Sequence, residues 1–158
     1  MVAASAGILM YKHHGHEILV LLVHPGGPYW RNKDAGSWSI PKGERRQGED
    51  PETTARREFA EELGMKPIGF LSRLGHIRQR GGKLVEAFAV KGEFEVDRLS
   101  SNTFEMEWPP RSGKKQSFAE VDRAAWFSLA KAREKINAGQ RALIDRLEEL
   151  ARNENGGP

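Results

Sequence analysis

The chain has no cysteine among its 158 residues. Disulfides, thiolate catalysis and Cys-based zinc sites are therefore excluded. It also lacks any apolar run long enough to span a bilayer. Its opening stretch, MVAASAGILMYKHH, has no basic segment ahead of its short apolar part, so no signal peptide and no membrane contact are expected, and the expected location is the cytoplasm. A dominant sign of charge is missing too. There are 25 Lys and Arg against 22 Asp and Glu, a formal net charge of +3. That balance favours small anions but is too slight to argue for nucleic acid, which is not expected as a partner. Internal repeats and domain linkers are absent. The remaining composition, 38% apolar and 30% charged, suits a soluble enzyme. A chain of this size is expected to form one domain, residues 1–152, with a flexible tail over 153–158. Such a domain hides roughly 70% of its extended-chain surface.

What is present is concentrated in GERRQGEDPETTARREFAEELGM, residues 43–65. Glu58, Glu61 and Glu62 fall at i, i+3 and i+4. A helix advances about 100° per residue, so the three project from one side. Clustered negative charges repel one another unless a cation sits among them, and all-oxygen ligands select a hard ion, Mg²⁺ or Mn²⁺. A solvated amphipathic helix would account for the charges alone. It would not account for Gly43 and Glu49 at fixed offsets upstream, or for Gly64 directly behind the helix.

The helix has clear ends. Asp50 is placed to cap it, Pro51 and Glu52 suit its first turn, Gly64 suits a left-handed C-terminal position, and Pro67 prevents continuation. Ala55, Phe59 and Leu63 form its apolar stripe. Ala4–Tyr11 and Ile18–Val23 read as a β-hairpin, its second strand buried on both faces, and the histidines 13, 14 and 16 between them read as a solvated turn. A Pro- and Gly-rich loop follows. It carries Tyr29 and Trp30 and leads to a short strand at Trp38–Ile40. Residues 68–79 and 83–91 form a second antiparallel pair turned at Arg80-Gly81-Gly82. Residues 97–118 read as a long irregular connection. Glu120–Phe127 reads as a strand, and Leu129–Ile136 and Gln140–Ala151 as helices. Strands on both sides of a helix, then covering helices, predict a three-layer α/β/α sandwich.

The spacing Gly43, five residues, Glu49, seven residues, Arg57-Glu58-Phe59-Ala60-Glu61-Glu62-Leu63-Gly64-Met65 resembles the box of the Nudix hydrolases, which cleave nucleoside diphosphates linked to another moiety. Every fixed polar and glycine position is matched. The two bulky apolar positions carry Phe59 and Met65, and Phe59 is larger than the usual aliphatic. The resemblance implies the Nudix fold, a mixed sheet with the box helix on one face. It implies Mg²⁺ or Mn²⁺ as cofactor and a nucleotide as small-molecule partner, and leaves the oligomeric state open. Glu58 and Glu62 are the ligands it points to most strongly. Glu61 would be a ligand, a partner of a ligand, or the base that takes the proton of water. A main-chain carbonyl at Lys42 or Gly43 would help hold the ion. Arg57 and Glu49 would pair and brace the loop onto the helix, with Arg57 orienting the carboxylates.

A carboxylate outside the box is also implied. Glu120, ahead of the Trp126 strand, is favoured over Glu105 and Glu107. Trp30, Trp38 and Tyr29 are candidates for stacking on a base, with core packing the alternative for Trp38. Lys42, Arg111, Lys114 and Lys115 are candidates for distal phosphates. The resemblance implies hydrolysis of a phosphoanhydride in a nucleoside triphosphate or a dinucleoside polyphosphate. A non-catalytic nucleotide sensor on the same fold and an RNA 5′-end pyrophosphohydrolase are the alternatives.

Overall fold

The structure is a computed structural model that describes residues 3–79 and 81–155. Two apolar runs, each buried on both faces over most of its length, form β1 (Ser5–His14) and β2 (Glu17–Pro25), and a left-handed Gly15 (φ 62°) turns one back into the other. β1 is central. It runs parallel to β5 (Leu84–Lys91) along Ser5–Tyr11. Its opposite edge is divided, with β3 (Lys42–Glu44) pairing Ser5–Gly7 and β2 pairing Tyr11–His14. The six-stranded mixed sheet has the order β4-β5-β1-β2-β8, with β3 on β1. Here β4 is Ser72–Arg78 and β8 is Val121–Ser128.

Helix α1 (Pro51–Leu63) covers one face. Ala55, Phe59 and Leu63 pack there on Ile8, Met10, Leu21 and Phe88. Helices α2 (Leu129–Lys135) and α3 (Arg141–Asn155) cover the other face, where Leu143, Ile144 and Leu147 meet Leu9, Val20 and Leu22. Burying each such side chain contributes roughly 1.5–3 kcal/mol. The α/β/α sandwich is the expected one. No helix among the described residues is long and apolar enough to cross a membrane.

Four local expectations are corrected. Residues 97–118 are not irregular throughout. They contain β6 (Thr103–Glu107), paired with β7 (Lys115–Ala119) and tied by the Phe104–Phe118 ring contact. The strand expected at Trp38–Ile40 is reduced to isolated bridges, Val23 to Ser39 and Trp38 to Ile136. The chain pairs regularly only from Lys42 on, where it reaches β1. The strand expected from residue 68 begins at Ser72. Helix α3 continues to Asn155, into the expected tail, because Glu154 accepts from the Tyr11 hydroxyl and pairs with Lys91 at 3.3 Å. Arg80 of the expected turn and residues 156–158 of the expected tail lie outside the described residues.

Candidate active site

The site is built on the last two turns of α1 and on β3 beside it. Both ends of α1 are fixed. The Asp50 carboxylate accepts from Thr53 N–H at 2.8 Å. Gly64 sits at φ 81° and donates to the Ala60 carbonyl at 2.8 Å. The i+4 and i+8 stripe that buries Ala55, Phe59 and Leu63 turns Glu58, Glu61 and Glu62 toward β3 and the sheet edge.

Arg57 organises one half of the cluster. Its Nε and Nη2 donate to the two oxygens of Glu49 at 2.7 and 2.9 Å. Its Nη1 donates to Glu58 at 2.8 Å and to Glu61 at 3.2 Å, and Nη2 also reaches the Glu44 carbonyl at 2.9 Å. Glu49 further accepts from Arg46 N–H and the Thr54 hydroxyl, each at 2.9 Å. Its carboxyl is held well down, at about 2, first by Arg57 and then by the Arg46 N–H. The loop is thus pinned to the helix by a planar fork, which a lysine cannot supply.

Glu62 has the opposite surroundings. It is buried, and its Oε2 accepts from Lys42 N–H at 3.0 Å. Burial first, then the charge of Glu58, pushes its carboxyl up to about 8. Burial also raises Glu58, against the pull of Arg57. Glu120 is raised by burial and by the charges of Glu58 and Glu61. Lys42 is lowered by its own burial while Glu62 acts to raise it. The expected carboxylates, Glu58, Glu61, Glu62 and Glu120, therefore lie within electrostatic reach of one another. A Cβ at Gly43 would collide with the carboxyl of Glu58, so any larger residue there would displace that side chain.

Glu120 is delivered by the hairpin. Its N–H donates to the Asn102 carbonyl and its carbonyl accepts from Gly26 N–H, both at 2.9 Å; Asn102 N–H in turn donates to the Glu61 carbonyl at 2.9 Å. This register locks the strand entry onto the end of α1. The alternation of β6 instead points Glu105 and Glu107 to solvent.

The remaining predicted residues divide. Trp38 is core: it is buried, packs edge-on to Phe127 and donates its indole N–H to Asp34 at 2.8 Å. It stands among residues of the α2/α3 face, the side of the sheet away from α1, and offers no open ring to a base. Trp30 and Tyr29 are exposed, and Tyr29 packs edge-on against Trp108 of the hairpin. Arg111 and Lys114 are exposed at the hairpin tip and form no ion pair among the described residues, and Lys115 is exposed where β7 begins. A residue not anticipated from sequence is His24. It is fully buried, with Nδ1 2.8 Å from Asp122 and Nε2 2.7 Å from the Lys33 carbonyl, and it anchors the loop after β2. A lone histidine closing an otherwise apolar strand was its only signal.

The donor set suits a hard divalent cation. It is all oxygen, and ionising Glu58, Glu62 and Glu120 together costs energy that such a cation would offset. Among the described residues no three acidic or histidine side chains already converge on one point. Arg57 draws Glu58 and Glu61 toward itself, so these two would rotate to bind.

Comparison with known proteins agrees with the geometry. A 70-residue stretch is 39% identical to an RNA pyrophosphohydrolase of Caulobacter vibrioides, covering 41% of this chain and 41% of that protein. The match thus spans less than half the length of the curated relative. Among solved structures, a C. elegans Ap4A hydrolase complex superposes with a TM-score of 0.65 at 19% identity, covering 94% of this chain and 98% of that one. The NUDIX domain of Shewanella oneidensis NrtR, complexed with ADP ribose, superposes with a TM-score of 0.64 at 19% identity, covering 96% and 89%. At these identities the superpositions speak for the fold. The model of the NUDIX domain matches residues 1–147, nearly the whole sandwich together with its carboxylate helix, and the chain belongs to that family.

Proposed function

We propose that this chain is a divalent-ion-dependent pyrophosphohydrolase that uses water to cleave a phosphoanhydride in a nucleotide, either a nucleoside triphosphate or a dinucleoside polyphosphate. The observation that carries this reading is the raised group Glu58, Glu62 and Glu120 beside an Arg57-braced helix. Carboxylates kept at such a cost are typical of functional sites.

Glu58 and Glu62 would hold Mg²⁺ or Mn²⁺, with Glu120 and the main chain at Lys42 and Gly43 as further oxygen donors. A bound ion of this kind neutralises phosphate charge and acidifies a water. The residues do the rest. Arg57 sets the direction of the Glu58 and Glu61 carboxylates. Glu61, more exposed than Glu58 and Glu62, would take the proton of the attacking water. Lys42 lies within charge reach of Glu62 and Glu58 and would attract the negative phosphate chain. The water oxygen bonds to phosphorus, the bridging P–O bond breaks, and its electron pair leaves with the departing phosphate.

A second reading, action on RNA 5′ ends, is favoured by the similarity to the Caulobacter vibrioides RNA pyrophosphohydrolase. The modest net charge favours free nucleotides. The test is a panel of nucleoside triphosphates, diadenosine tetraphosphate and 5′-triphosphorylated RNA with Mg²⁺, run in ¹⁸O-water with products separated. Metal-stimulated cleavage of the free nucleotides is expected. Preferential cleavage of RNA would select the second reading. Binding without metal-stimulated phosphate release would make the chain a sensor.

A further inference from the structure

The two edges of the six-stranded sheet are finished differently. An open strand edge offers unpaired N–H and C=O groups to any other strand, and proteins guard such edges with charge, bulges or covering groups. The β4 edge is guarded. It carries Arg73, His76 and Arg78, it bulges between Arg73 and Gly75, and Arg146 of α3 donates to the Leu74 and His76 carbonyls at 3.1 and 2.8 Å. The β8 edge is not. From Ala124 to Ser128 it reads AAWFS, with no charge, no proline and no bulge.

The main-chain groups left open on β8 follow from the register. Val23 exchanges both its hydrogen bonds with Ser39, at 2.9 Å each, so it turns away from β8. Ala124 stands opposite Val23, in a non-hydrogen-bonded pair, and turns its own N–H and C=O to the outside. Alternation gives Trp126 the same direction. Among the described residues neither has a main-chain partner there, and β8 pairs with β2 alone. A groove of about 550 Å³ runs along this edge, with Val96 and Leu99 on one side of the sheet and Trp38, Phe127 and Lys135 on the other. Open main-chain groups between two such walls suit an added strand.

We propose that a second copy of this chain fills the groove, its β8 antiparallel to the first about a two-fold axis at Ala125. Ala124 and the second copy's Trp126 then exchange both main-chain bonds, and symmetry repeats the exchange. Arg123, half-exposed and 5.2 Å from the Trp38 ring, faces the second copy's Phe127 as a cation against a ring. The small Ala124 lies across from the bulky Trp126, and Ala125 meets its own copy. An axis at Ala124 would bring the two Arg123 side chains close together, and one at Trp126 would oppose the two indoles. Charge and size select the axis at Ala125, and the two sheets become one.

The test uses the full chain. Because it has no cysteine, one introduced thiol can cross-link only to its own copy. In the proposed pairing the two Ala125 Cα atoms lie about 4.5 Å apart, as in any non-hydrogen-bonded antiparallel pair, inside the range a disulfide spans. The two Arg123 Cα atoms lie at least about 13 Å apart, four strand positions out of register. Ala125→Cys is therefore expected to form a disulfide-linked dimer of twice 17.7 kDa under mild oxidation, and Arg123→Cys is not. Sedimentation equilibrium of the wild type is expected to show the same doubled mass without a cross-link. Ala124→Pro removes an outward N–H that β2 does not use. It is expected to weaken dimerisation by about 10-fold or more while circular dichroism stays unchanged. A wild type that is monomeric at every concentration overturns the proposal. So does a dimer that Ala125→Cys does not trap, that both cysteine variants trap equally, or that a folded Ala124→Pro leaves at full strength. If Ala124→Pro fails to fold, the cysteine variants decide.

Discussion

Two carboxylates thirteen positions apart, at opposite ends of α1, are treated in opposite ways. Glu49 is wrapped by Arg57, Arg46 and Thr54 and held at about 2. Glu62 is buried beside Glu58 with one main-chain N–H and is pushed up to about 8. The same residue type is satisfied at one end and left wanting at the other. The satisfied end fixes shape, and the unsatisfied end holds capacity for a cation. Stability and chemistry are therefore separable along a single helix.

The sharpest way to break this contrast is Glu62→Gln. The variant keeps the shape and the Lys42 hydrogen bond and removes the charge. It is expected to lower turnover of any nucleotide substrate by about 10³-fold, in line with loss of a principal electrostatic group, while circular dichroism stays unchanged. Its stability should move the other way. Glu62 is raised in the folded state, so between the ordinary carboxylate range and about 8 the folded chain holds a proton that the unfolded chain has released. Stability then falls as pH rises through that window, by on the order of 1.4 kcal/mol per unit at most. In chelator, wild type should lose melting temperature from pH 5 to pH 8, and Glu62→Gln should lose less. Added Mg²⁺ should restore the wild type and release protons, which titrations in buffers of different ionisation enthalpy would count. Glu49 is depressed, so its stabilisation is present above the ordinary range and is lost as pH falls toward 2. Equal pH profiles for wild type and Glu62→Gln would end the contrast.

Arg57→Ala attacks the other end. It strands Glu49, Glu58 and Glu61 together, and a loss of about 2–4 kcal/mol in urea unfolding is expected, as for breaking a partly buried ion network. Turnover should fall by about 100-fold, because the carboxylates lose their common anchor. Arg57→Lys should recover little of either, since it lacks the fork. A loss of rate with full stability would show that the brace is not structural.

Gly43→Ala tests the junction between the two ends. The added methyl collides with the carboxyl of Glu58 but leaves Glu49 and Arg57 paired. The expected cost is about 30-fold in turnover with about 1 kcal/mol or less in stability, the displacement falling on a side chain. Substitution at Gly64 should do the reverse. That residue is held at φ 81°, with a Cβ position 2.7 Å from the Ser100 carbonyl, so alanine there should cost about 1–2 kcal/mol and change rate little.

How far the sequence reaches follows the same division. The helix, its caps and its stripe were legible because each is set by spacing within 23 residues, and the Arg57–Glu49 pair because the family resemblance implies it. The α/β/α layering was legible from the order of elements and from the family resemblance. The hairpin over β6 and β7 was not, because TFEME alternates over only five residues and its partner KQSFA, mostly exposed, shows no matching alternation. The role of Trp38 was left open between ring stacking and packing, and only tertiary placement decides it, with Phe127 and Asp34 arriving from elsewhere in the chain. His24 escaped notice because its partners, Asp122 and the Lys33 carbonyl, are fixed by folding and not by spacing. Contacts between distant segments are what periodicity cannot report.

The smallest expected effect lies on the hairpin, where three glutamates compete for one role. Glu120 feels the charges of Glu58 and Glu61, and both its main-chain groups are tied down, to Asn102 and Gly26. Glu105 and Glu107 lie on the solvent side of β6, on a strand whose only partner among the described residues is β7. Glu120→Gln should therefore lower turnover by about 10-fold and weaken the apparent Mg²⁺ dependence, the scale expected for an auxiliary oxygen ligand. Glu105→Gln and Glu107→Gln should each stay within about twofold, as ordinary surface changes do. A Mg²⁺ titration of turnover separates them, because a ligand shifts the midpoint and a solvent-facing charge does not. If Glu105→Gln moved the midpoint and Glu120→Gln did not, the hairpin would have to swing on binding, and the main-chain ties at Glu120 would be a hinge and not an anchor.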